Sequence, residues 1–317
     1  MVAGWAVRMA VTFEKAAWGG WPHCYRISNG TVDLIVTADI GPRVMRYGFI
    51  GGRNMFLEHA PSMGKSGEPD FQLRGGHRIW AAPEHMPGTY APDNAPVNVR
   101  IQHDVLDATG PVEETTGLQK QIVVKLDAEG TRVEVRHRIR NMKQWAVEVS
   151  PWALTMMAPG GTGITGFPPR GRHPEMLAPT NPLVMWAFTD LSDARWTFLE
   201  KYLLLRQDPA VARPQKIGHF NPKTWGAYLL CSDLFVKRYD AVAANGKPFP
   251  DYGCSFEMFT NSDTLELETL GPLTKLSCGD NLKHVEFWSL HSGVNLAEIT
   301  DAELDRVIQP YSNPAIA

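Results

Sequence analysis

The sequence predicts an all-β fold, a large sandwich or barrel with one short C-terminal helix. Three observations predict it. Residues 131–140 alternate strictly: Val133, Val135, His137 and Ile139 share one face, and Arg132, Glu134, Arg136, Arg138 and Arg140 take the other, which is the period of a half-buried strand. Many short apolar runs follow one another between turn signals, with 28 Gly and 24 Pro spread along the chain and no low-complexity linker. Helix signals are scarce, and the best of them lies near the C-terminus.

Residues 1–20 read as an N-terminal extension or edge strand. Residues 31–38, rich in β-branched side chains, follow the turn signal Ser28-Asn29-Gly30, and Gly41-Pro42 separates them from an expected partner at 43–50. Residues 73–85 read as a loop. In 97–101 the apolar positions 97, 99 and 101 alternate with polar ones. Asp127-Ala128-Glu129-Gly130 reads as a hairpin turn joining 119–126 to 131–140. Further strands are expected at 146–157, 183–188, 226–231, 234–239, 254–260, 265–270 and 285–290. Residues 190–195 look like a turn, and 193–205 fit a short helix or a strand. Residues 301–309 read as helix: Thr300 and Glu303 form a capping box, and Leu304, Val307 and Ile308 supply an apolar stripe. The whole chain, 1–317, is expected to be a single domain, with 295–317 as C-terminal helix and tail.

Composition narrows the function. Hydrophobic residues make up 44% and charged residues 21%, enough to bury a core without disulfides or metal. A net charge of −3 argues against a nucleic-acid partner. No window approaches the roughly 20 apolar residues of a membrane span. Arg8 interrupts the apolar N-terminal segment and no small-residue cleavage site follows, so a signal peptide is not expected. Cys24, Cys231, Cys254 and Cys278 form no CxxC pair and read as single buried thiols in a reducing compartment. The expected location is cytoplasmic. No Walker, GxSxG, HExxH or EF-hand motif is present, and no cofactor is expected.

The densest chemistry lies in residues 73–85. Arg74 and Arg78 offer forked donors, Trp80 a flat face for sugar C–H groups, and Gly75-Gly76 a close backbone approach to a ligand, with His77, Glu84 and His85 beside them. In 264–273, Glu266 and Glu268 share a strand face opposite Leu265, Leu267 and Thr269, just before a Gly-Pro turn. His284, Glu286 and Trp288 share another face, expected to adjoin Glu268 if their strand neighbours 265–270. Trp152 precedes Ala158-Pro159-Gly160-Gly161, and Lys216, Lys237, Asp251, Tyr252 and Glu257 near strand ends could line a wide cleft. His77, Glu84 and His85, with Glu257 or Glu268, match no standard zinc spacing, so no metal is expected. Ser255 and Cys254 have no base nearby in sequence.

Leu265-Glu266-Leu267-Glu268-Thr269 followed by Pro272 resembles the strand that carries the catalytic glutamate in galactose mutarotases (aldose 1-epimerases). Leu73-Arg74-Gly75-Gly76 resembles the Arg-Gly-Gly turn of the hexose-6-phosphate mutarotase branch. With Gly76-His77-Arg78-Ile79-Trp80 and Pro151-Trp152-Ala153-Leu154-Thr155-Met156-Met157-Ala158-Pro159-Gly160-Gly161, the pattern is similar to an uncharacterised bacterial branch of that superfamily, over residues 20–290. The resemblance implies a galactose-mutarotase-like supersandwich of two large antiparallel sheets with a sugar site on a concave face. It implies Glu268 as general base and a histidine as acid. The mid-chain stretch 151–161, where the family carries its acid histidine, has none, which leaves His77 or His85 for that role, and His77 is taken as the acid. Arg74, Arg78, Trp80, Glu84, His85, Trp152 and Glu257 would bind the substrate. The expectation is an epimerase-like protein whose partner is a small-molecule carbohydrate. The alternatives are a non-catalytic carbohydrate-binding or sensing protein and, by analogy of fold, a carbohydrate lyase.

Overall fold

The structure, a computed structural model, describes residues 10–240 and 246–312. Residues 1–9 and 313–317, which belong to the expected N-terminal extension and C-terminal tail, lie outside the described residues.

Nearly every element is a strand, and the strands form two antiparallel sheets. The first has 11 strands. From one edge it runs through Thr12–Trp18, Trp21–Ser28, Val32–Thr37, Arg43–Phe49 and His77–Ala82. It continues through Val147–Met157, Leu265–Leu270, Phe256–Thr260, Gln215–His219 and Leu183–Met185, with Thr274–Leu276 attached to Val147–Met157. The second, with 10 strands, runs from Trp196–Phe198 through Tyr202–Arg206, Thr162–Gly166, Trp225–Leu230, Asp233–Tyr239, Asn281–His291, Val133–Asn141, Leu118–Leu126 and Val105–Val112 to Asn98–Gln102.

The expected hairpins form where the turn chemistry places them. Leu118–Leu126 pairs with Val133–Asn141 through the Asp127–Gly130 turn, and the buried positions of Val133–Asn141 are the odd ones, Val133, Val135, His137 and Ile139. Val32–Thr37 pairs with Arg43–Phe49. The ambiguous segment 193–205 is a turn followed by two short paired strands, because its apolar residues are needed on a sheet rather than on a free helix face. The expected helix runs Asp301–Val307, with Thr300 Oγ1 accepting from the Glu303 backbone N–H at 3.3 Å, and Gln309–Ser312 follows it. Leu304, Val307 and Ile308 cover Ile164, Leu204, Leu234 and Val236 on the outer face of the second sheet.

One segment departs from expectation in a way that governs the site. Residues 77–82 are a central strand, not a loop. Gly75 and Gly76 adopt φ of +95° and +72° ahead of it. A Cβ on Gly75 would stand 2.0 Å from the Leu57 carbonyl oxygen, and one on Gly76 2.5 Å from that of Val44. The glycines therefore admit a neighbouring backbone rather than a ligand.

The main core lies between the sheets and draws on both, from Ile79, Ala153, Leu265 and Leu267 to Val133, Val135, Phe235 and Trp288. Among the described residues no helix is long and apolar enough to cross a membrane. All four cysteines are unpaired; Cys24 and Cys254 are buried, and Cys231 and Cys278 are exposed rather than buried.

Candidate active site

Strand register decides which side chains meet. In the first sheet Leu154 stands opposite Arg78 on one side and Glu268 on the other, and Trp152 stands opposite Trp80 and Leu270. Glu268 is paired in turn with Glu257. Paired residues of an antiparallel ladder project to one face, so Arg78, Trp80, Trp152, Leu154, Glu266, Glu268, Glu257 and Lys216 share the face turned away from the second sheet. Thr155 stands opposite His77 and Leu267, and these three project the other way, into the core between the sheets.

The outer face carries a buried charge cluster. Lys216 Nζ lies 2.8 Å from Glu257 Oε2 and 2.9 Å from Glu268 Oε2. Trp152 Nε1 donates to the same Glu268 oxygen at 2.7 Å. Glu268 Oε1 is buried and accepts no hydrogen bond. The ammonium of Lys216 sits 4.7 Å from the ring centres of both Trp152 and Trp186. Arg78 stacks on Trp80 at 3.7 Å and lies 4.7 Å from Phe71, and Trp80 meets Trp152 edge-on at 5.3 Å.

Burial sets the proton affinities here. Removal from water raises the Glu257 carboxyl well above its usual range; Lys216 opposes that shift, and Glu268 and Asp251 add to it. Burial, helped by Glu268 and opposed by Arg78, pushes Glu266 up to about 7. Burial works against the charge of Lys216, yet Glu257 and Glu268 outweigh it and hold its pKa above the ordinary lysine value. The face thus pairs Glu257, whose proton affinity burial has raised, with Glu268, which is anchored through one oxygen.

The structure brings together five of the residues expected from the sequence: Arg78, Trp80, Trp152, Glu257 and Glu268. It does not bring His77 to them. His77 is the immediate neighbour of Arg78, and the two-residue period of a strand sends it to the opposite face. Its expected pairing with Glu268 as acid and base is not made. Arg74 is fully buried in the loop before the strand, where it donates to Ser62 O at 3.2 Å and Lys65 O at 2.6 Å and pairs with Glu68. It closes the loop and is absent from the charge cluster. Glu84 and His85 lie exposed beyond the strand end; Glu84 accepts from the Tyr90 hydroxyl and His85 Nδ1 is 3.1 Å from Pro83 O. Tyr252 is 92% exposed. Lys216, at the centre of the cluster, carries no local signal beyond its place near a strand end. Trp186, Phe71 and Tyr90 come from segments with no pattern that singles them out.

His284, Glu286 and Trp288 share a face as expected, but their strand belongs to the second sheet. His284 and Glu286 meet Thr269, the back of the Glu268 strand, and not Glu268 itself. With His77, His137, Lys237 and Thr155 they form a second polar cluster sealed between the sheets. Lys237 Nζ bonds Glu286 Oε1 at 2.8 Å and Thr155 Oγ1 at 2.9 Å. His77 Nδ1 lies 2.8 Å from Thr155 Oγ1, and His77 Nε2 lies 2.6 Å from His137 Nε2. His137 Nδ1 faces the His284 carbonyl at 3.1 Å and must donate there, so its Nε2 accepts from His77 and Thr155 donates to His77 Nδ1. Burial lowers the pKa of His77 well below its ordinary value, that of His137 to about 4 and that of His284 to about 3. Atoms of His77, His137 and Glu286 that could bind a metal lie within 4.8 Å of one another, but Lys237 already supplies the positive charge this carboxylate requires.

No family model and no curated protein matches the chain. Solved structures do. A galactose mutarotase-like protein from Lactobacillus casei is 10% identical with a TM-score of 0.53, over 84% of this chain and 100% of that one. A galactose mutarotase related enzyme from Lactobacillus acidophilus is 9% identical with a TM-score of 0.54, over 88% and 98%. A galactose mutarotase-like protein from Clostridium acetobutylicum is 8% identical with a TM-score of 0.51, over 90% and 99%. At these identities the likeness is one of fold: the chain has the galactose mutarotase-like sandwich.

Proposed function

We propose that the protein is a mutarotase-like isomerase acting on a cyclic sugar by general acid–base ring opening at the Glu268 face of the first sheet. The observation that carries this reading is the carboxyl pair joined by Lys216, in which Glu268 keeps one oxygen free. Glu268 Oε1 takes the proton of the anomeric hydroxyl. Glu257, its cross-strand neighbour, gives a proton to the ring oxygen. The bond from the anomeric carbon to the ring oxygen breaks, leaving an open-chain aldehyde. Rotation and the reverse transfers close the ring on either face. Both oxygens are bonded to one carbon, so acid and base must work side by side, and directly paired strand residues about 5 Å apart meet that need. Lys216 and Trp152 hold the other oxygen of Glu268, so the free one does the chemistry. The partner is a small-molecule carbohydrate, and the four unpaired cysteines favour a reducing compartment, the cytoplasm.

Exchange between anomeric protons, followed by NMR over a panel of aldoses, uronic acids and hexose phosphates, tests the reading. Wild-type protein should accelerate exchange for one class, and Glu268→Gln should lower kcat by about 10²–10⁴-fold without loss of folding. Glu257→Gln should also lower kcat and remove the arm of the pH profile that reports a protonated acid. Unchanged turnover in Glu268→Gln would refute its role as base. The lack of a histidine on this face favours a second reading, a carbohydrate-binding or sensing protein without turnover; sugar binding with exchange at the buffer rate would establish that one.

A further inference from the structure

Five arginines among the described residues are almost fully buried, and four of them are paired with a carboxylate: Arg43 with Asp93, Arg46 with Asp33, Arg74 with Glu68 and Arg195 with Asp193. Arg78 is the exception. It is 2% exposed, no ion-pair partner stands against it among the described residues, and its Nε and Nη1 donors are both buried without an acceptor. Trp80 and Phe71 lie against its guanidinium, 3.7 and 4.7 Å away, and neither offers an acceptor to the two unsatisfied donors. A buried cation without an acceptor loses its hydration and receives nothing in exchange. Burial together with the nearby Arg43 pulls its pKa down to about 10, the mark of a charge short of compensation.

The position of Arg78 is as informative as its lack of partners. It is two strands from Glu268, with Leu154 between them in register. At about 4.8 Å per strand the two backbones are about 10 Å apart, a span comparable to that of one sugar ring with its exocyclic carbon. We propose that the substrate is a sugar carrying a carboxylate across the ring from its anomeric carbon, seated on the unsatisfied donors of Arg78 while Glu268 and Glu257 address the anomeric centre. This rests on the function proposed above and narrows it to uronic acids. A guanidinium donates strong charge-assisted hydrogen bonds to carboxylate oxygens, and Nε and Nη1 are the donors here that lack an acceptor. A phosphate shares the oxyanion chemistry, but its second negative charge would face Glu266, whose carboxyl lies close enough to influence Arg78.

The test is anomeric exchange by NMR with D-glucuronate, D-glucose and D-glucose 6-phosphate as separate substrates. Glucuronate should be turned over with the highest kcat/KM. Arg78→Gln should raise its KM about 100-fold while kcat falls far less. In the ligand-free protein Arg78→Met should raise the melting temperature by about 2–4 °C, because it removes an unpaired buried charge. A structural arginine would give a fall instead, and that result overturns the proposal. So does equal or better turnover of glucose, or an unchanged KM in Arg78→Gln. Turnover of glucose 6-phosphate alone overturns the carboxylate and assigns Arg78 to phosphate. If no sugar is turned over, the isomerase reading fails by itself, and calorimetric binding then decides this one: glucuronate binding to the wild type and not to Arg78→Met supports it, and no binding to either overturns it.

Discussion

Lys216 holds the charge balance of the outer face. It is 5% exposed and stands between two buried carboxyl groups, so removing its charge strands them. Lys216→Met should destabilise the protein by about 3–5 kcal/mol near pH 7. The loss should shrink as the pH falls and the carboxyls protonate, and urea titrations at several pH values would show it. A loss that stays constant with pH would mean that the lysine stem, and not its charge, does the packing. Glu266 behaves in the opposite sense to a paired carboxylate. Its folded pKa, about 7, lies above the unfolded value, so it favours the folded state below pH 4.5 and that benefit is lost as the pH rises through 7. At the scale of single residues the legible part was chemical type. The carboxylates at 266 and 268, Arg78 and the two tryptophans were visible in the sequence, whereas Arg74 was visible and misplaced, because nothing local tells a loop-closing arginine from a ligand-binding one.

The strand His77–Ala82 shows what an element adds to its residues. Read as a loop, residues 73–85 pool their histidines and arginines into one site. Read as a strand, they are dealt alternately to two faces, Arg78 and Trp80 to the outer face of the sheet and His77 and Ile79 to the core. The Gly75-Gly76 pair makes this strand possible by letting its entry pass against Leu57 and Val44. Gly75→Ala should therefore cost several kcal/mol or abolish folding, since a methyl at that φ meets a backbone carbonyl that cannot yield. Soluble yield and circular dichroism would register it. A stable, folded Gly75→Ala protein would show that the close approach is not required. Strands with clean alternation, such as Val133–Asn141, were legible to within a residue or two. Gln215–His219 and Thr162–Gly166 were not, because each is only five residues long and covered on both faces, which leaves no alternation to read.

In the whole molecule one sheet separates two polar clusters, and they respond to pH in opposite ways. On the outer face, protons are taken up by carboxyls that burial has made weaker acids. Between the sheets, His77, His137 and His284 are held neutral, with folded pKa values below that of an unfolded histidine. The unfolded chain therefore binds protons that the folded chain refuses once the pH drops below about 6.5. Stability should fall as the pH goes from about 6 towards 4, at up to about 1.4 kcal/mol per pH unit for each histidine. Urea midpoints measured across that range should fall more steeply for the wild type than for His137→Gln. Parallel slopes in the two proteins would mean that His137 is not among the groups that protonate on unfolding. This inner cluster also ties the two sheets together behind the proposed base, since Lys237 on one sheet bonds the Leu267 carbonyl at 3.1 Å on the other.

By itself the sequence determined the β class, the main hairpins, the capped C-terminal helix and the chemical inventory of the site, because alternation, turn residues and capping are local and are set by neighbours along the chain. Register and sheet membership are settled by pairings between residues far apart in sequence, and a shift of one position exchanges the two faces of a strand. Only the tertiary structure could therefore decide that Glu268 has Glu257 and Lys216 beside it, that His77 is walled off behind the sheet, and that Arg78 has no ion-pair partner among the described residues.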